Sequence, residues 1–169
     1  MTALSLLLAA LTIQAPPAPD RAAIIEAAAD ILEKARYCTF VTVARDGQPH
    51  ARVVDPLKPD ASFTIWFATN PLTRKVQQIR RNPKVTLSCF DPASASYITL
   101  HGRAALISDV TQKQQHWKQD WTAIYPKGPA GDDSLLVRIT PVRLEISSES
   151  RGMFGDPKTW LPLSIQFRR

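Results

Sequence analysis

Residues 66–83 read WFATNPLTRKVQQIRRNP, and the fold turns on how this stretch is parsed. Phe63, Ile65, Trp66 and Phe67 make an aromatic and apolar run that predicts a β-strand over 62–68. Asn70-Pro71 breaks it. Leu72, Val76 and Ile79 then share one helical face, and Pro83 closes the helix because a residue before proline is pushed out of the helical region. The segment is therefore strand, tight turn, short helix, with Thr69, Thr73, Arg74 and Lys75 at the turn and first helical turn. A helix N-terminus presents unpaired N–H groups and a partial positive charge. With a hydroxyl, a guanidinium and an ammonium beside it, the turn forms a phosphate cradle; a solvated basic helix start is the alternative. No Gly-rich loop of the P-loop or dinucleotide-binding kind accompanies it.

Composition sets the frame around this element. A chain of 169 residues with 44% hydrophobic content can bury one core, expected over 20–169. The net charge of +6 and pI near 9.6 favour an anionic partner. The basic residues are scattered apart from 74–81, so no nucleic-acid face is expected. Cys38 and Cys89 both lie in apolar runs and read as buried structural thiols rather than a disulfide. His50, His101 and His116 are isolated and no Cys-x-x-Cys occurs, so no metal site is expected. Residues 1–19 read as a signal-like apolar segment, too short to span a bilayer and with no preceding Lys or Arg, together with a Pro-rich linker; a docked or disordered N-terminal segment is the alternative. Cytoplasmic and exported locations both stay open.

Outward from the centre, Asp20 is an N-cap for a helix over 21–37 with Ile24, Ile25, Ala28, Ile31 and Leu32 on its apolar face. β runs at 38–44 and 48–54 flank Arg45-Asp46-Gly47, a strong hairpin signal. Further strands are predicted over 84–90 and 97–108, the latter with Gly102 marking a bulge. Asp109 caps a predicted helix to about Tyr125, whose Trp117, Trp121, Ile124 and Tyr125 read as core or interface. A last pair of strands, 134–140 and 142–147, is predicted to break at Pro141. The tail beyond is too apolar to float free and should pack on its own domain or on a partner; Trp160 within it reads as a core anchor, with stacking across a subunit interface as the alternative. The fold class is mainly β: a small antiparallel barrel with peripheral helices.

From 39 to 108 the ordered set TFVTVARDGQPHARVV, FATN, TRK, NPKVTLSCF and YITLHGRAAL resembles the pyridoxamine 5'-phosphate oxidase-like family of FMN-binding split barrels, in its general-stress-protein-like branch. The resemblance implies a six-stranded split barrel acting as a homodimer with FMN at the subunit interface. It places Arg52, Val53 and Val54 along the flavin, with Arg52 at the phosphate, and Ala68 and Thr69 against the cofactor. Thr73, Arg74 and Lys75 would bind the phosphate, and Tyr97 would reach the ring system. A barrel-strand salt bridge is the alternative for Arg52, and an ordinary cross-strand aromatic for Tyr97.

The chain also departs from the oxidase pattern. Asp55-Pro56 interrupts the strand where the oxidases continue apolar to a lysine, which Lys58 would replace imperfectly, and the C-terminal Arg-x-His-x-Arg segment is absent. Oxidation of vitamin B6 is therefore not expected. Two functional classes follow: a flavin-dependent oxidoreductase using a small-molecule electron donor or acceptor, or a flavin-binding or sequestering protein with little turnover. Deazaflavin is the alternative cofactor. No acid or base stands out; His50 and His101 are candidates only because histidine titrates near neutrality.

Overall fold

The computed structural model of the protein describes residues 19–168. The signal-like segment and most of the linker lie outside those residues. Helix α1 (Arg21–Ala35) begins where Asp20 accepts a hydrogen bond from the Ala23 amide at 2.8 Å, and it buries Ile24, Ala27, Ala28, Ile31 and Leu32. The hairpin β1 (Cys38–Val43) and β2 (Pro49–Val54) follows, its turn passing through Gly47 at φ 87°, a conformation open to glycine. Next come β3 (Ile65–Thr69), α2 (Arg74–Arg81), β4 (Lys84–Asp91) and β5 (Ser96–Ile107). Helix α3 (Val110–Gln115), β6 (Leu135–Ser147) and β7 (Leu163–Gln166) complete the chain.

All pairings are antiparallel, in the order β2-β1-β4-β5-β6-β3, with β7 added to β6. This is the mainly β split barrel with peripheral helices expected from the sequence. The seam lies between β2 and β3, where the Leu57 amide donates to the Trp66 carbonyl at 2.7 Å just past the end of β2. Inside, Phe40 of β1 meets Phe67 of β3 edge-on at 4.9 Å, joining the two sides of the split. α1 lies over β4 and β5, and α2 packs on β1 and β5 through Val76 and Ile79.

Several expectations are corrected. Cys38 and Cys89 are not free thiols: they face each other across β1 and β4, with Cα atoms 4.5 Å apart, and form a disulfide. Both runs put their cysteine on the buried face, but only the strand order makes them neighbours. The strand pair split at Pro141 is one strand, β6: Pro141 falls opposite Gly102, where the β5–β6 register shifts, and a bulge is a place where a strand tolerates proline. A Cβ on Gly102 would lie 2.6 Å from Ile139 Cγ2 and 2.7 Å from the Thr140 carbonyl oxygen, so the bend needs glycine. The helix expected from 109 to 125 stops at Gln115 and resumes as a 3₁₀ turn, Gln119–Ala123. Trp160 is no core anchor: it is 87% exposed.

Candidate functional site

The strand–turn–helix at the centre of the sequence folds as its punctuation dictates. β3 ends at Thr69, Asn70 Oδ1 takes the Leu72 amide at 2.8 Å, and α2 starts after Thr73. Thr73 is the N-cap residue, yet its hydroxyl donates back to the Asn70 carbonyl at 2.9 Å and caps nothing. The first turn of α2 thus keeps its orphan amides without a side-chain partner. Lys75 folds back over this turn, its Nζ donating to Thr69 Oγ1 at 2.8 Å and to Thr73 Oγ1 at 3.4 Å.

Arg52 approaches from β2. Its guanidinium donates to Thr42 Oγ1 at 2.7 Å, the His50 carbonyl at 2.6 Å, the Phe40 carbonyl at 3.3 Å and Gln78 Oε1 at 3.2 Å. Gln78 is buried on α2 and also accepts from the Thr42 hydroxyl at 2.5 Å. This network ties β1, β2 and α2 together. The barrel-strand salt bridge is not what forms: among the described residues no carboxylate lies within ion-pair distance of Arg52, Arg74 or Lys75. Burial, and then the charge of Arg74, lower the pKa of Arg52. Burial, and then the charge of Arg52, lower that of Lys75. Three cations crowd one another without a counter-charge, an arrangement that an anion would relieve.

Beside this strand–turn–helix opens a cavity of about 240 Å³. Val53, Val54, Ala68, Thr69 and Lys75, all singled out from the sequence, line it. Tyr37, Asp55, Trp121, Ile124 and Tyr125 complete the lining. Arg52, Thr73 and Arg74 are not among the residues that line it. Tyr97 does not reach it. It lies on β5 opposite Phe90 of β4, on the sheet face away from buried Ile98. Lys58 is not among the lining residues; it pairs with Glu33 at 2.8 Å on the surface. His50 contributes its carbonyl to Arg52 and no ring contact at the cavity, while His101 sits elsewhere, between Thr86 and Glu145. Among the described residues there is no metal-ligand cluster, and no helix is long and apolar enough to cross a membrane.

Sequence reasoning missed half of the cavity wall. Asp55 registered only as a strand break, and Trp121, Ile124 and Tyr125 only as packing residues. Their shared signal was an acid at a strand end and an indole far along the chain, which nothing local connects.

A sequence model described as pyridoxamine 5'-phosphate oxidase matches residues 24–147. The chain belongs to this family. Within the family's wider reach, a pyridoxine/pyridoxamine 5'-phosphate oxidase from Leptospira interrogans is 33% identical over 76 residues, which make up 45% of this chain and 35% of that enzyme. The chain therefore shares only a minor part of that relative's length. A protein related to general stress protein 26 from Clostridium acetobutylicum superposes with a TM-score of 0.71 at 19% identity, over 85% of this chain and 94% of that one. A pyridoxamine 5'-phosphate oxidase-related, FMN-binding protein from Nostoc punctiforme gives a TM-score of 0.58 at 19% identity, over 92% and 100%. Identities this low speak to the fold alone: the barrel of this pyridoxamine 5'-phosphate oxidase family member is that of the stress-protein-like structures.

Proposed function

We propose that this family member binds FMN, with the phosphate in the cradle of Thr69, Thr73, Arg74 and Lys75 and the flavin ring along Val53, Val54 and Ala68. The observation that carries the reading is the crowding of Arg52, Arg74 and Lys75 with no carboxylate partner, next to uncapped helix amides and an open cavity. A dianionic phosphate fits that donor set. When bound, FMN supplies transfer of a hydride or electrons, and the chain supplies position and electrostatics. Lys75 and Thr69 hold the phosphate end, and the Thr42–Arg52–Gln78 network keeps the strand bearing Val53 and Val54 in register with α2.

A flavin-dependent oxidoreductase using a small-molecule electron donor or acceptor is the activity this site best suits. A flavin-holding protein with little turnover is the second reading. Oxidation of pyridoxamine phosphate is not part of the proposal. A homodimer is supported by the outward face of the β2–β1–β4–β5 sheet, where Val53 is 68% and Phe90 56% exposed and Val41, Val43 and Tyr97 lie half-buried. Tyr97 would reach a cofactor only from a second subunit. The Cys38–Cys89 bridge belongs in an oxidising compartment, so of the two locations left open the exported one is favoured. Two free thiols in protein taken from its native host would count against export.

Titration of FMN into the purified protein, followed by flavin absorbance, tests the cradle. The paired change Arg74→Ala with Lys75→Ala removes two charge-assisted contacts worth about 1.5–3 kcal/mol each, so affinity should fall by roughly 100-fold or more. An unchanged affinity would sink the assignment.

A further inference from the structure

Asp55 follows immediately on β2, the strand that brings Val53 and Val54 to the cavity. Its carboxylate takes three hydrogen bonds: Lys118 Nζ at 2.7 and 2.9 Å, one to each oxygen, and the Trp121 indole N–H at 3.2 Å. Both donors belong to the stretch between α3 and β6, whose regular structure is limited to the Gln119–Ala123 turn. Such a stretch is placed by what it is tied to. Here one tie is Asp55, and another is buried Lys113, which donates to the carbonyls of Gly131 at 2.6 Å and Ser134 at 2.8 Å. Trp121 is 2% exposed and meets Trp117 edge-on at 5.6 Å, while Trp117 meets Tyr125 at 6.2 Å. The stack ends at the cavity, where Tyr125 is half-buried and Ile124 is 70% exposed.

We propose that Asp55 is a positioning residue that clamps the 117–125 stretch over the cavity, so that Ile124 and Tyr125 form the wall on which the planar, uncharged end of the ligand packs. The proposal rests on the FMN reading of this cavity and adds what the cations cannot supply. A cationic cradle selects a phosphate but is indifferent to what the phosphate carries; an apolar and aromatic wall selects a flat ring. Lys118 has a second effect. Asp55 lines the same cavity as Lys75, and unpaired it would repel an anion. Its two-point contact with Lys118 cancels that charge. The strand break that separates this chain from the oxidase pattern thus has a use: the acid replaces the apolar continuation of β2 with an anchor for a distant wall.

The test separates wall from cradle by using ligands that carry one end each. Riboflavin has the ring without the phosphate, and inorganic phosphate has the anion alone. Their affinities, and that of FMN, are measured by flavin fluorescence and by thermal shift for the wild type, Asp55→Asn/Lys118→Met, Tyr125→Leu and Arg74→Ala/Lys75→Ala. The first variant removes both charges of the clamp together, so net charge near the cradle is unchanged. Riboflavin should bind about tenfold more weakly to the clamp variant and to Tyr125→Leu, with inorganic phosphate unaffected. The cradle variant should lose phosphate and keep riboflavin. Fluorescence of bound flavin should rise in Tyr125→Leu, a change that a purely structural role would not produce. Tyr125→Leu leaves the clamp intact and tests the wall even where the clamp variant fails to fold. Riboflavin affinity equal to wild type in Tyr125→Leu would overturn the wall while leaving the FMN reading standing. A wild type that binds neither flavin would overturn both.

Discussion

Reduction of the Cys38–Cys89 bridge should cost the protein much of its stability, and the size of the effect follows from where the bridge sits. The cysteines are 51 residues apart in sequence, and the loop between them contains β2, β3 and α2 with Arg52, Thr69, Thr73, Arg74 and Lys75. Releasing a loop of about 50 residues returns roughly 14 cal/mol/K of entropy to the unfolded chain, or about 4 kcal/mol at 25 °C. The folded state loses little in exchange. Both sulfur-bearing residues are at most 2% exposed, and reduced thiols in such places behave as small apolar groups. For a domain whose whole stability is about 5–15 kcal/mol, this is a large share. With a urea dependence of about 2 kcal/mol per molar, the unfolding midpoint should fall by about 2 M. Because the bridge is buried, the reduced sample is made by unfolding in reductant and refolding under it. The four tryptophans report the transition, and thiol titration counts the free cysteines in each sample. Coincident midpoints for a sample with two free thiols and a sample with none would refute the reasoning.

The crowding of cations makes the cradle sensitive to alkali. Burial and Arg52 lower the pKa of Lys75, so the free protein should lose affinity for phosphate or FMN as pH rises through a value below that of ordinary lysine. The sign for the unliganded fold is opposite: a lysine whose folded pKa is depressed binds fewer protons than in the unfolded chain, so stability rises with pH between the two values. Affinity measured across that range, with Lys75→Met as control, should show the fall in the wild type alone; parallel curves would remove Lys75 from the site. The outward apolar face of β1, β2 and β4 should give a sedimentation mass of two chains, and a monomer carrying a full complement of FMN would contradict the interface reading.

Legibility in the sequence followed range. The cap at Asp20, the Asp46-Gly47 hairpin, the strand–turn–helix around Asn70-Pro71 and the bulge at Gly102 were each readable, since the forces that make them act within a few residues. The closeness of Thr69, Thr73 and Lys75 was readable for the same reason, since all three lie within seven residues of one strand–turn–helix. Boundaries slipped where long-range contacts outvoted local preference. β6 runs through Pro141 because the Gly102 bulge faces it across the sheet, and β3 starts at Ile65 rather than 62. The strand β7 went unseen, since four residues with so short a pattern become a strand only when β6 offers an edge.

The sequence by itself determined a basic, mainly β chain with Thr69, Thr73, Arg74 and Lys75 gathered around one helix start, because propensity, turn chemistry and charge are properties of neighbouring residues. Only the tertiary structure decided which distant residues meet. Strand order set Cys38 against Cys89, and packing of α2 on β1 brought Gln78 to Arg52 and Thr42. The fold also carried Trp121 and Lys118 to Asp55, 63 to 66 residues away in the chain, and left Trp160 in solvent where hydrophobicity alone would have buried it. Such contacts are selected by the free energy of the whole barrel, which no short window of sequence contains.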